Sequence, residues 1–396
     1  MRHFHEFQLK GRRVVKRVDI NSPIDEQGEI MSNPRLERHG KSIRRLSDVG
    51  AKVIVIAHQG REGKADFVSL SDHARLLERI TQRQVQFIPT IDAAKIKSAI
   101  EQMENGDILL LENVRMWKGE EGEPHKSLLV KTLAPITDVF VLDALSVSHR
   151  KHASVMGLAG HVPSAAGPVL QEEIEALDRI GKGSLTLVLG GGKAKDSLKI
   201  MKKWLEEKKA SRVLLGGAVS VLFLDAAGHN VADSHAYLKA NQLLVHTKDA
   251  KELMEKHKEL IVLPEDVGLN IDGDRVEARV NAIERGSILD IGENTMQRYH
   301  EEIMESKRVL VNGPMGVYEK KEFSLGTRRV LNSVAESESY SLVGGGHTIT
   351  AIQQFGISEG KFSYVSLSGK ALVQYLSGKE LPAIRALKEN RKSFPI

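Results

Sequence analysis

The stretch LVLGGGKAKD, residues 187–196, decides how the chain is read. An apolar run of strand type ends in three glycines and two lysines. Consecutive glycines let backbone N–H groups approach an anion closely, and a helix beginning just beyond them turns its positive end the same way. Strand, glycine turn and helix in that order form the building unit of an α/β domain, and phosphate is the anion such a turn suits. Spacing excludes the nucleotide P-loop, which needs an earlier glycine and a Ser or Thr after its lysine, because Ala194 follows Lys193. The same test rejects Gly40-Lys41-Ser42, which has Arg35 where the first glycine should stand.

Working outward, apolar β-type runs recur upstream as RRVVKRV (12–18), KVIVIA (52–57), QVQFI (85–89), DILLL (107–111) and DVFVL (138–142). Helical periodicity fills several of the gaps, so the first part of the chain alternates α and β. HVPSAAGPVLQEEIEALDRIGKG (161–183) reads as a loop followed by a linking helix. The alternation restarts at LTLVLG (185–190) and continues through RVLLGG (212–217), LIVLP (260–264), KRVLVNG (307–313), SLVGGG (341–346) and FSYVSL (362–367). Two parallel-sheet α/β halves joined by a helix follow, with boundaries at 1–168, 169–183, 184–378 and a closing segment 379–396.

With 396 residues, 41% of them hydrophobic, the chain is long enough for two sizeable cores. No apolar run approaches the roughly 18 residues of a membrane span, and MRHFHEFQLKGRR lacks the apolar centre of a signal peptide. A cytoplasmic protein without a membrane partner is expected. Zero cysteines exclude disulfides, a thiol nucleophile and thiolate metal ligands. The net charge of +5 is spread out, and aromatics make up only 5%, which argues for a basic surface or a small-anion site over nucleic acid.

In parallel sheets, ligands sit beyond the carboxyl ends of the strands. After the first-half runs stand Arg17-Val18-Asp19-Ile20-Asn21, His58-Gln59-Gly60-Arg61, Glu112-Asn113-Val114-Arg115, and Asp143 with His149-Arg150 shortly beyond. After the second-half runs stand Gly190-Gly191-Gly192-Lys193, Gly216-Gly217, Asn312-Gly313-Pro314-Met315-Gly316 and Gly344-Gly345-Gly346-His347-Thr348. One half offers arginine forks, suited to a small acid with several negative charges. The other offers backbone turns, suited to nucleotide phosphates. Together they point to phosphoryl transfer. Asp19 and Asp143 could contact the ligand or serve as internal partners of the basic residues, and His3, His5 and His152 read as surface or structural.

These residues resemble the phosphoglycerate kinase family in its archaeal form. RVDINSP (17–23), NPRL (33–36), HQGRE (58–62), LLLENVR (109–115) and DALSVSHRKHAS (143–154) are similar to its substrate motifs. GGGKAKD (190–196), VNGPMGVYE (311–319) and GGGHT (344–348) are similar to its nucleotide motifs. The resemblance implies two Rossmann-like domains around a hinge, with ELPAIRALKENRKSF (380–394) returning to the first. It implies reversible transfer between 1,3-bisphosphoglycerate and ADP, giving 3-phosphoglycerate and ATP with Mg²⁺, in a monomer or homodimer. By position, Asp19, Asn21, Arg35, His58, Arg61, Arg115, His149 and Arg150 would hold the phosphoglycerate. Gly191, Gly192, Lys193, Gly216, Gly217, Asn312, Gly313, Pro314, Gly316, Glu319, Gly345, Gly346, Thr348, Gly369 and Lys370 would hold the nucleotide, with Glu319 on the ribose. Arg35 and Lys193 are the expected catalytic pair; a carboxylate attacks phosphorus, so no general base is needed.

The chain departs from the family on the nucleotide side. Ser197 stands where a second lysine is usual, His347 where an aspartate binds Mg²⁺, and SLSGKA (366–371) where a glycine cradle is usual. Mg²⁺ would then arrive on the nucleotide with no protein ligand of its own, and Lys370 is the expected replacement for the missing lysine. Two other readings compete. Leu142, Leu145, Val147 and Ser148 would suit a different phosphorylated acid, and the altered cradle a non-catalytic nucleotide-binding protein. A nicotinamide dehydrogenase is the weakest alternative, since no G-x-G-x-x-G follows the first strand.

Overall fold

A computed structural model describes residues 1–395, and the chain divides into two compact units, Met1–Ile174 with 380–395, and Glu175–Lys379. In the first, strands β1 (Arg13–Arg17), β2 (Lys52–Ile56), β3 (Val85–Ile88), β4 (Ile108–Leu111), β5 (Val139–Leu142) and β6 (Ser164–Ala166) form one parallel sheet. Their order is β3-β4-β2-β1-β5-β6. The inner strands are buried along nearly their whole length, because a parallel sheet flanked by helices has no solvent face. Helices α1 (Pro34–Asp48), α2 (Ser71–Thr81), α3 (Ala93–Glu101) and α4 (Leu128–Leu133) lie between the strands, and α5 (Pro168–Ile180) follows the last. Leu36, Ile43 and Leu46 of α1 and Leu77 of α2 meet Val14, Val53, Val55 and Val141 in the core.

The second unit carries β7 (Leu185–Leu189), β8 (Ala210–Leu215), β9 (Ile261–Val262), β10 (Asp266–Ile271), β11 (Asp274–Arg279), β12 (Ser287–Ile291), β13 (Arg308–Asn312), β14 (Tyr340–Gly344) and β15 (Tyr364–Val365). Its parallel sheet runs β9-β8-β7-β13-β14-β15, the 3-2-1-4-5-6 order of the doubly wound nucleotide fold. The order reverses between β7 and β13, and a crevice forms at such a point. Helices α6 (Ala194–Glu206), α7 (Gly217–Ala226), α8 (Ser234–Ala240), α9 (Thr247–Lys256), α10 (Glu293–Met304), α11 (Leu325–Glu336), α12 (Gly346–Gln354) and α13 (Lys370–Leu376) accompany it. The parallel-sheet α/β class expected from the sequence is therefore observed in both units.

Two elements depart from the sequence reading. Ser164–Ala166, expected as loop, pairs with β5, and a strand this short has no periodicity of its own to reveal it. Strands β10, β11 and β12 form an antiparallel ribbon that the reading passed over. Its hairpin turns at Asp272-Gly273, both with positive φ, the dipeptide signal of a tight turn. After unit two the chain re-enters the first unit as α14 (Pro382–Ser393). Asn390 fixes it there, accepting from Ser164 N at 2.9 Å and donating to Ala159 O and Val162 O at 2.6 and 2.8 Å.

Candidate active site

In the first unit the loops beyond β1, β2 and β4 are laced together by side-chain amides. Gln59, fully buried, exchanges two hydrogen bonds with the Ser22 backbone at 2.9 and 3.0 Å. Asn21 Oδ1 accepts from Gly60 N at 2.8 Å, and Asn113 Nδ2 donates to Gln59 O and Val68 O. A buried amide satisfied on every side fixes its neighbours, so these loops present their charged residues in one arrangement. Asn33 caps α1 by accepting from Arg35 N and Leu36 N, with Pro34 in the first turn. The cap sets Arg35 beside Asp19, at 3.3 Å. Asn113 caps the next turn in the same way and places Arg115, whose guanidinium donates to Gly60 O.

Electrostatics bind the cluster together. Burial would raise the Asp19 carboxyl, but Arg35 and a hydrogen bond from Ser146 outweigh it and hold the group far below the usual carboxylate range. Arg115 loses proton affinity first through burial and then through Arg150, with Arg61 adding to the repulsion. Burial and the adjacent Arg17 hold His58 well below the ordinary histidine value, with Arg115 and Arg150 acting in the same sense. Thus Asp19, Asn21, Arg35, His58, Arg61, Arg115 and Arg150 form one neighbourhood, while His149 is the half-buried residue before Arg150.

Asp143 proves to be internal. It is fully buried 2.8 Å from Lys16, itself fully buried, and accepts from Ser42 Oγ at 2.5 Å and from Val169 N and Leu170 N at the start of α5. Leu142, Leu145, Val147 and Ser148 are also core residues, so they give no support to a different acceptor. His152 is mostly buried against Glu120 and Glu121, a structural position.

The second unit holds two cavities sharing Gly191, Gly192, Pro314 and His347 as a common wall. Both open at the reversal between β7 and β13. Their floor is backbone packed on backbone: Gly191 N donates to Pro314 O at 2.7 Å and Gly217 N to Met315 O at 2.7 Å. A Cβ at Gly190 would sit 2.1 Å from Pro314 O, and one at Gly313, where φ is +100°, 2.3 Å from Gly190 O. Only glycine permits that approach.

The first cavity, about 370 Å³, is largely apolar, with Val221, Ile288, Leu289, Met315 and Val317 in its wall and Glu319 and Tyr237 among its polar groups. The other, about 530 Å³, is lined by Lys193, Asp196, Ser197, Asn312, Thr348, Gly369 and Lys370. Thr348 Oγ1 accepts from Gly313 N at 2.9 Å, while Asn312 Oδ1 is buried with no protein partner. Of the expected nucleotide residues, Gly216 alone lines neither cavity; it caps α7 with Met315 against it. Ile288, Leu289, Val221 and Tyr237 were missed, because ordinary apolar and aromatic residues carry no motif.

Comparison with known proteins places the chain in a family. The family model for phosphoglycerate kinase matches residues 4–379. The phosphoglycerate kinase of Methanothermus fervidus is 38% identical, covering 98% of this chain and 97% of its own. That of Methanococcus maripaludis is 38% identical, covering 97% of each. The crystal structure of phosphoglycerate kinase from Pyrococcus horikoshii superimposes with a TM-score of 0.90 at 33% identity over the whole of both chains. The enzyme from Coxiella burnetii gives 0.84 at 31% identity and 99% coverage of each. A match over nearly the whole chain in sequence and over the whole of it in fold has one meaning: the chain belongs to the phosphoglycerate kinase family and is a phosphotransferase.

Proposed function

We propose that the first unit holds 3-phosphoglycerate, or 1,3-bisphosphoglycerate in the reverse direction, through Asp19, Asn21, Arg35, His58, Arg61, Arg115 and Arg150. The supporting observation is that Arg150 and Arg61 both oppose the charge on Arg115, which burial already disfavours. Guanidiniums gathered in this way suit a multiply charged anion. The second unit takes ADP or ATP, the apolar cavity receiving the base and ribose with Glu319 at its edge. The phosphates lie over Gly191, Gly192, Gly345 and Gly346, beside Lys193, Lys370 and Thr348.

The reaction needs no base, because the nucleophile is already a carboxylate. In-line placement and neutralisation of charge on the transferring group carry the rate. Arg35 from the acid's side and Lys193 from the nucleotide's side stabilise its equatorial oxygens, and both act best once water is expelled from the reacting atoms. The hydrogen-bonded lattice of Asn21, Gln59 and Asn113 keeps the arginines in place throughout.

The donor set fits Mg²⁺ carried by the nucleotide. Among the described residues no group of three or more acidic or histidine ligands is gathered. Asp196 is the carboxylate lining the phosphate cavity, and Mg²⁺ commonly takes one carboxylate besides phosphates and waters. Asp196 would hold the ion, which when bound neutralises charge on the phosphates. His347 is turned elsewhere, with Nδ1 3.2 Å from the Tyr318 hydroxyl and 3.8 Å from Glu319. A cytoplasmic location goes with this activity on small water-soluble substrates; among the described residues no helix is long and apolar enough to cross a membrane.

The test is ATP- and Mg²⁺-dependent phosphorylation of 3-phosphoglycerate, drawn off by a coupled dehydrogenase. Turnover is expected in the native protein and a loss of at least about a hundredfold in Lys193→Ala, the order found on removing one group that stabilises transition-state charge. Protein that binds both substrates without turnover would overturn the assignment.

A further inference from the structure

The buried arginine at the end of β1 has no assigned part in the reaction, yet it touches a residue of the acid site. Arg17 is 1% exposed. Its Nη2 lies 3.0 Å from His58 Nδ1, its Nε 3.0 Å from Ser154 Oγ, and Nη1 donates to Val18 O. Ser154 is held in turn by Glu120, through its hydroxyl at 2.5 Å and its N–H at 2.9 Å. The guanidinium is thus fixed on three sides, with the Glu120 carboxylate as the strongest favourable charge acting on it.

A guanidinium is donor-only. A hydrogen bond between it and a histidine nitrogen requires the lone pair on that nitrogen, so the ring proton must sit on the other one. From this we infer that Arg17 is a positioning residue that fixes His58 as the neutral, Nε2-protonated tautomer, making it an uncharged hydrogen-bond donor to the phosphorylated acid. Taking up a second proton would place N–H against N–H and break the Arg17 contact. The charged groups acting on the ring are Arg17 on β1, Asp19 in the loop beyond it, Arg115 after β4 and Arg150 after β5. Three of the four oppose an imidazolium.

The consequence is chemical. The acid site's positive charge comes from arginines alone, whose protonation does not vary in the neutral range, while His58 supplies direction. Affinity for the acid then follows the ionisation of the ligand and not that of the protein.

This inference rests on the reading that the acid binds in the first unit, and the two can be tested apart. The ring nitrogens of His58 are observed by two-bond ¹⁵N–¹H correlation in ligand-free protein labelled at histidine, with His58→Gln giving the assignment. A non-protonated Nδ1 and a protonated Nε2, unchanged between about pH 5.5 and 8, are expected, the range in which a free histidine titrates. An imidazolium pattern, or a proton on Nδ1, overturns the inference whatever the protein binds. Adding 3-phosphoglycerate then tests the reading itself, which fails if the His58 signals do not move.

Arg17→Gln provides the second arm. In this variant the ring should titrate within that range. Relative to the native enzyme, KM for 3-phosphoglycerate should rise roughly tenfold at pH 8, the order of one charge-assisted hydrogen bond network, and less at pH 6, with kcat changed far less. A folded Arg17→Gln with native His58 signals and a pH-independent KM ratio refutes the positioning role. Should that variant not fold, the native spectrum still decides.

Discussion

Ser197 and Lys370 line the same cavity, and neither has a carboxylate partner among the described residues. Lys370 begins α13, where a cation opposes the helix dipole, so an anion must compensate it. Lys370→Ala should weaken ADP binding about tenfold, the loss of one charge-assisted contact. Ser197→Lys in that background should restore part of it. Calorimetric titration decides, and unchanged affinity in the single variant removes Lys370 from the phosphate site. The Lys16–Asp143 pair shows the other use of charge. Lys16→Met strands a buried carboxylate and should cost about 3–5 kcal/mol in denaturant unfolding, and Asp143→Asn added to it should recover much of that. Arg61 and Arg115 were legible because they stand shortly after strands, and Arg35 because NPRL resembles a family motif. Lys16 was not singled out, although a charge inside a strand buried on both faces must have a partner nearby.

The ribbon β10–β12 gives the apolar cavity two of its walls, Ile288 and Leu289. It is tied down by Arg275, which lies 2.8 Å from the fully buried Asp290 carboxylate and donates to Ile291 O. Asp290 also accepts from Gly326 N at 2.8 Å, and burial pushes its carboxyl up to about 6. Arg275→Met should therefore cost several kcal/mol, about 3–5 by the usual price of a broken buried pair. It should also raise the Kd for ADP, since the wall it anchors moves; stability loss with native ADP affinity would show the ribbon to be dispensable for the base. The expected strand-end turns at Gly190, Gly313 and Gly345 were legible because glycines after apolar runs have few other uses. The ribbon's part in the site depends on packing between elements about 100 residues apart in sequence, and no local pattern encodes that.

Acid stability belongs to the whole molecule. Burial lowers His39, His73 and His152 to about 4, and His58 well below its ordinary value. Each binds a proton more readily unfolded than folded, so stability is lost as pH falls below about 6.5 towards the folded values, at up to about 1.4 kcal/mol per unit per group. Glu120 and Asp290, raised by burial to about 6, act oppositely. Their contribution declines as pH rises from about 4.5 to 6. Four groups against two leaves a net loss on acidification. The thermal midpoint should fall between pH 7 and pH 5, because the four histidines outweigh the two carboxyls across that range. A midpoint that holds steady or rises towards pH 5 would mean that these histidines are charged in the folded protein.

The sequence by itself determined the α/β class in two halves, the arginine and glycine sets at the strand ends, and the departures at Ser197, His347 and Lys370. These are local properties: periodicity fixes strands, and in a parallel sheet the residues after each strand share one edge. The tertiary structure alone decided strand order, the place of Ser164–Ala166 and the ribbon, and which charges are internal. Asp19 and Asp143 follow equivalent apolar runs, yet one meets Arg35 among the site arginines and the other Lys16 in the core. That difference arises from which side chains three-dimensional packing brings within a few ångströms, and burial then sets the strength of each charge.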